Sequence, residues 1–124
     1  MIRGVGTDMV KIARFKDMPP RLGERLFTAG EREYIKQRPQ TAAGIFAAKE
    51  AVVKALGTGF RGFWPAEVEI WHTPAGAPRV RLLGTALKIA RRLARGRYRV
   101  HVSITHERDV AAAFAVFDVF RTLR

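Results

Sequence analysis

Two carboxylates stand out by position in this sequence. Asp8 closes the run Val5-Gly6-Thr7-Asp8 at the end of an apolar segment, and Glu50 is the one acid in the largely apolar stretch from Ile45 to Leu56. Carboxylate oxygens bind hard cations and accept protons, so two of them brought together could serve either chemistry. Phe46, Glu50 and Lys54 are spaced at successive helical turns and share one face of a helix. The same spacing fits a surface ion pair between Glu50 and Lys54, a contact that contributes about 0.3 kcal/mol. An aspartate beside Gly and Thr likewise fits an ordinary turn. His106 ends an alternating segment, where a histidine can also simply cap the turn. Arg14, Met18, Arg21 and Arg25 recur at helical spacing, either a docking surface for an anionic partner or a solvated basic face; Pro19-Pro20 interrupts the stripe.

The elements that must position these residues can be read from pattern and punctuation. Residues 2–10 read as a strand ending in a polar turn at Gly6-Thr7-Asp8. Pro19-Pro20 can open a helix. Thr28-Ala29-Gly30-Glu31 is a capping box that predicts a helix over 29–37, with Pro39 ending it and Thr41 capping the next. Ile45, Phe46, Val52, Val53 and Leu56 fall at helical spacing, and Gly57 supplies the stop. Residues 67–72 and 78–83 read as two strands joined across Thr73 to Gly76. A basic amphipathic helix spans 84–95. From Tyr98 to Thr105 apolar and polar residues alternate, the period of a half-buried strand. Residues 110–118 are nearly all apolar, as in a strand covered on both faces. The sum is α+β: helices packed on a mostly antiparallel sheet.

Composition narrows the chemistry. The chain has 124 residues and no cysteine, which fits one domain, residues 1–124, and excludes a disulfide framework, a thiolate nucleophile and a zinc–thiolate site. The N-terminus shows no signal-peptide pattern, and no stretch approaches the roughly 20 apolar residues of a membrane span, so a cytoplasmic protein with no membrane association is expected. Lys and Arg number 23 against 11 Asp and Glu, a formal charge of +12 and a pI near 11.4. Such a field draws phosphorylated small molecules, nucleic acid, an anionic membrane or an acidic protein, and charge alone does not choose among them. A nucleic-acid-binding module would account for Arg91-Arg92 and Arg95-Gly96-Arg97, but it leaves Asp8 and Glu50 without a role.

Val5-Gly6-Thr7-Asp8, followed at a distance by Phe46-Ala47-Ala48-Lys49-Glu50-Ala51-Val52-Val53-Lys54, resembles the signature of the 4'-phosphopantetheinyl transferases. Lys54 through Gly59, Val68-Glu69-Ile70, Gly76-Ala77-Pro78 and Val102 through His106 are similar to the small single-domain holo-acyl-carrier-protein synthases in particular. The likeness runs from residue 2 to residue 118; the tail from Val119 to Arg124 has no counterpart. It implies transfer of 4'-phosphopantetheine from coenzyme A to a serine of an acidic acyl carrier protein of fatty-acid synthesis, with release of 3',5'-ADP. A polyketide or nonribosomal-peptide carrier domain would be an alternative recipient.

The resemblance also implies roles. Asp8 and Glu50 would hold Mg²⁺, a hard ion that takes oxygen ligands. Lys54 would meet the pyrophosphate, and the serine proton would go to Glu50 or to water at the metal. Lys54, Gly57, Gly59 and His106 would belong to the coenzyme A pocket, His106 facing a neighbouring subunit of a homotrimer. Arg14, with Met18, Arg21 and Arg25, would form the carrier-docking surface. Two departures stand out: Gly44 and Ile45 occupy positions where many relatives carry a basic pair, and Lys11 replaces an acid near the metal turn. Arg38, Arg61 and His106 are the candidates to hold the 3'-phosphate instead.

Overall fold

The computed structural model describes residues 1–120. Strand β1 (Ile2–Lys11) runs into a short 3-10 turn (Ile12–Phe15), followed by helices α1 (Pro20–Leu26), α2 (Ala29–Ile35) and α3 (Pro39–Leu56). A second 3-10 turn (Pro65–Glu67) leads into the hairpin β2 (Val68–His72) and β3 (Pro78–Leu82); helix α4 (Gly84–Ala94) and the long strands β4 (Arg97–Glu107) and β5 (Val110–Phe120) complete the chain. Both sheets are antiparallel, one ordered β1-β5-β4 and the other β2-β3. The α+β architecture is therefore as expected.

Helix α3 is the spine. It is buried without a break from Ala42 to Lys49 and packs on β1, β5 and β4. It can lie that close to the sheet because β1 presents glycines to it. A Cβ on Gly6 would stand 2.0 Å from the Ala51 carbonyl oxygen, and one on Gly4 would stand 2.0 Å from that of Ala55. Gly44 answers from the helix side, where a Cβ would press to 2.8 Å from the Ile104 side chain. Backbone thus meets backbone where side chains would hold the layers apart. Phe15, Phe27, Phe46 and Phe117 fill the remaining core with Val52, Val68 and Ile70.

Several local expectations change. The capping box forms as read, with Thr28 Oγ1 accepting from Glu31 N–H and a Glu31 carboxylate oxygen accepting from Thr28 N–H. Helix α2 nevertheless stops at Ile35, because Lys36 turns left-handed at φ 47°. Pro39 does not end a helix but opens α3 at its first turn, where its missing N–H costs nothing. Arg38 is the N-cap and Thr41 lies inside the helix. Gly57 closes α3 in the left-handed conformation, φ 81°. Strand β1 does not turn at Asp8 but continues to Lys11. Strand β5 is covered on one face only: Ala111, Ala113, Ala115, Phe117 and Val119 are buried, while Phe114 and Phe120 are exposed. Among the described residues no helix is long and apolar enough to cross a membrane. Val119 and Phe120 of the tail belong to β5, and residues 121–124 lie outside the described residues.

Candidate functional site

Asp8 reaches the site through strand alternation. Gly4, Gly6, Asp8 and Val10 project from the same face of β1, and on that face the two glycines are pressed against α3 at Ala51 and Ala55. Two residues further along β1, the first side chain with a functional group is Asp8, and the next turn of α3 offers Glu50 and Lys54. The glycines of the Gly-x-Gly-x-Asp pattern therefore bring the carboxylate to the helix.

The ion pair that spacing allowed within α3 is not the one observed. Lys54 Nζ lies 3.2 Å from Asp8 Oδ1 and donates to the Thr7 carbonyl oxygen at 2.9 Å, tying helix to strand instead of bonding Glu50. Glu50 is half-buried. Burial pushes its carboxyl above the ordinary carboxylate range, the negative charge of Asp8 pushes it further, and Lys54 and Arg14 pull it back. Two carboxylates that repel each other, with one lysine ammonium against Asp8, form a site for positive charge. Its donors are hard oxygens. Among the described residues no group of three or more His, Cys, Asp or Glu gathers; Asp8 and Glu50 are the pair of acids available to a cation here. Mg²⁺ binds in that way, through one or two carboxylates plus substrate oxygens. Asp8 and Glu50 therefore fit Mg²⁺ in kind and number.

The basic stripe separates. Arg14 belongs to the 3-10 turn after β1, Met18 to the following loop, and Arg21 and Arg25 to α1. Arg14 is exposed, lies over the Phe46 ring at 5.6 Å, and its charge acts on Glu50, which places it at the rim of the acidic pair. Arg25 instead stacks over Trp64 at 4.9 Å. Gly57 and Gly59 both take positive φ in the exposed turn after α3; nothing lies within 4 Å of a Cβ built on either.

His106 is exposed and lies within β4, not in the turn. It lines a cleft of about 180 Å³ together with Tyr34, Gly44, His72 and Pro78. His72, which matches no motif, stacks on Tyr34 with ring centroids 4.0 Å apart; burial holds its pKa below the usual histidine value and its Nδ1 has no hydrogen-bond partner. Arg38 donates to the carbonyls of Tyr34 and Ile35 at the end of α2 and lies over the Tyr34 ring.

The sequence reading missed Lys49, which is fully buried and paired with buried Glu31 at 2.8 Å. The available signal was a lysine whose neighbours one helical turn away, Ile45, Phe46, Val52 and Val53, are all apolar.

Residues 4–115 match the family model of the 4'-phosphopantetheinyl transferase superfamily. The chain is 46% identical over 125 residues to the holo-[acyl-carrier-protein] synthase of Clostridium kluyveri, covering 96% of this chain and 92% of that protein. It superposes on the holo-[acyl-carrier-protein] synthase of Neisseria meningitidis with a TM-score of 0.81 at 33% identity, over 95% of this chain and 99% of the other. The holo-(acyl-carrier-protein) synthase of Bacillus anthracis in complex with CoA (3',5'-ADP) gives a TM-score of 0.78 at 29% identity, over 97% and 99% of the two chains.

Proposed function

Since this chain belongs to the holo-acyl-carrier-protein synthases of the 4'-phosphopantetheinyl transferase superfamily, we propose that it moves the 4'-phosphopantetheine arm of coenzyme A onto a serine of an acyl carrier protein in an Mg²⁺-dependent reaction that releases 3',5'-ADP. The observation that carries this reading is the meeting of Asp8 and Glu50 across the β1–α3 contact, with Lys54 beside them.

The chemistry asks the protein for charge placement more than for covalent work. Asp8 and Glu50 would hold Mg²⁺, which when bound would neutralise charge at the pyrophosphate. Lys54 is tethered by Asp8 and the Thr7 carbonyl yet half its side chain faces solvent, so its ammonium can turn to the phosphate oxygens as charge develops. The carrier serine oxygen bonds to the β-phosphorus, the bond from that phosphorus to the 3',5'-ADP oxygen breaks, and the serine proton passes to the Glu50 carboxylate. The cleft lined by His106 and the glycine turn at Gly57 and Gly59 supply further coenzyme contacts.

The carrier docks on the Arg14 side, with Met18, Arg21 and Arg25 extending the surface; acyl carrier proteins are acidic and the chain carries +12. The protein works as a homotrimer in the cytoplasm. An outward apolar sheet face, exposed at Val5, Met9, Phe114 and Phe120, supports the assembly.

The decisive experiment incubates the protein with coenzyme A, Mg²⁺ and a panel of apo carriers, of fatty-acid and of polyketide or peptide type. Mass spectrometry should show the phosphopantetheine increment on the carrier and 3',5'-ADP in solution. Arg14→Glu should raise the KM for the carrier and leave that for coenzyme A unchanged. Transfer that persists at full rate in chelator, or in Asp8→Ala, would rule out the metal assignment.

A further inference from the structure

Lys49 stands next to Glu50 in the chain, yet it points away from the acidic pair. Its side chain is fully buried, and its ammonium donates three hydrogen bonds: to Glu31 Oε1 at 2.8 Å, to the Pro65 carbonyl at 2.9 Å and to the Val68 carbonyl at 2.6 Å. Glu31 is saturated in turn, Oε1 also accepting from Thr28 N–H at 2.8 Å and Oε2 from Ile70 N–H at 2.7 Å. The pair therefore joins α2, α3, the 3-10 turn at Pro65 and strand β2 at one point. A buried ion pair is seldom a net source of stability, because desolvation cancels most of the attraction, and an apolar pair of similar volume serves as well or better. What an apolar pair cannot supply is direction.

Direction matters here because of what surrounds Glu50. Lys49 and Ala51 project about 200° apart around the helix axis, with Glu50 between them. On the Ala51 side α3 lies on Gly4 and Gly6 of β1. On the Lys49 side three directional bonds set its depth and rotation. The apolar side chains of α3 and its seat on Gly4 and Gly6 hold the helix in the layer but supply no directional bond, so without Lys49 the rotation that sets Glu50 against Asp8 rests on packing alone.

Resting on the metal-site reading above, we propose that the buried Lys49–Glu31 pair is a positioning device that fixes the rotation of α3, and so the placement of Glu50 against Asp8, for binding of the divalent cation.

The test uses the full-length protein without coenzyme or carrier and follows Mn²⁺ binding by the EPR signal of the free ion, with transfer kinetics and thermal melting alongside. In the double variant Lys49→Met/Glu31→Gln the cooperative melt should stay near that of the wild type. Mn²⁺ affinity should fall by about tenfold or more, the size of effect seen when groups behind metal ligands are lost. The kcat should fall in parallel, while the KM for coenzyme A stays within about twofold. A folded double variant with wild-type Mn²⁺ affinity and kcat overturns the proposal. If the double variant does not melt cooperatively, Lys49→Arg takes its place: it keeps a cation opposite Glu31 but shifts the donors, and wild-type affinity there is equally fatal. Glu50→Gln separates the two readings. Should Glu50→Gln bind Mn²⁺ as the wild type does, the metal site fails and this proposal with it. Should Glu50→Gln lose the ion while the double variant keeps it, only the positioning role falls.

Discussion

At the acidic pair the controlling quantity is the cost of holding two negative charges side by side. Glu50 keeps its proton to a higher pH than a free glutamate because it is half-buried and because Asp8 repels its charged form. Replacing Asp8 by Asn removes the repulsion and frees Lys54 for Glu50; both changes favour the carboxylate. The Glu50 pKa in Asp8→Asn should therefore fall, and ¹³C NMR of the carboxyl in metal-free protein will show it; a pKa that rises or stays would mean the two side chains do not face each other. The sign for stability follows. A group that binds its proton more tightly in the folded state contributes stability below its unfolded pKa and loses it as pH rises through the folded one. Glu50 therefore disfavours the metal-free fold at neutral pH, and Mg²⁺ should raise the melting temperature there while losing its effect as pH falls toward the raised pKa. Lys54 makes the complementary case. Its ammonium holds a position beside Asp8 that a cation would contest, so Lys54→Met should bind Mn²⁺ at least as tightly as the wild type. Its kcat should nevertheless drop by about 10²-fold, the usual loss when a charge-stabilising group is removed. If kcat and Mn²⁺ affinity instead fall together, the lysine serves the metal and not the phosphate.

Between elements, the close approach of β1 to α3 decides whether a site exists at all. Gly6→Ala would drive a Cβ to 2.0 Å from the Ala51 carbonyl oxygen, and backbone cannot yield as a side-chain tip can. The helix must lift, at a cost of at least about 1–3 kcal/mol, and Asp8 and Glu50 separate with it. Gly57→Ala is the control: a Cβ there meets nothing within 4 Å, so only the left-handed backbone is penalised, about 1 kcal/mol. Differential scanning calorimetry should rank Gly6→Ala as much the more damaging, and Mn²⁺ binding should be lost in it but kept in Gly57→Ala. The same contact explains what could be read beforehand. Helix α3, its stop at Gly57, the Thr28–Glu31 capping box and the alternation of β4 are written in local spacing; the association of Asp8 with Glu50 was not, and came only as what the family resemblance implies. Which cation Asp8 would meet was not: Lys54 is one turn from Glu50 in sequence, and only the lie of the helix on the strand hands it to Asp8. Pro39 was misjudged because a proline can follow one helix or open the next, and the length of the intervening loop decides. His72 and Lys49 gained their surroundings from β2 and α2, elements remote in the chain, so no window around either residue could show a stacked Tyr34 or a waiting Glu31.

For the molecule as a whole, the unresolved balance is between an outward apolar face and a charge of +12 on each chain. Val5, Met9, Phe114 and Phe120 stand on the side of the β1-β5-β4 sheet opposite α3, with Met9 72% and Phe114 45% exposed. A patch of large apolar side chains on the long strands of a sheet is more than scattered surface hydrophobicity. A closed homo-oligomer would cover it without leaving a free edge of interface. Met9→Asp together with Phe114→Asp should accordingly convert the proposed trimer to monomer, read by light scattering, with little loss of thermal stability within each chain. Whether the assembly also completes the site is a separate matter, answered by mixing. Asp8→Asn and His106→Ala should each be nearly inactive alone. If each site draws its acidic pair from one subunit and His106 from the next, trimers reassembled from equal amounts of the two variants contain some wild-type sites. Random assortment gives roughly a quarter of the possible sites both intact partners. Transfer activity near that fraction of wild type, appearing only after subunits are exchanged, would establish a shared site; a mixture as inactive as its components would confine the whole reaction to a single chain.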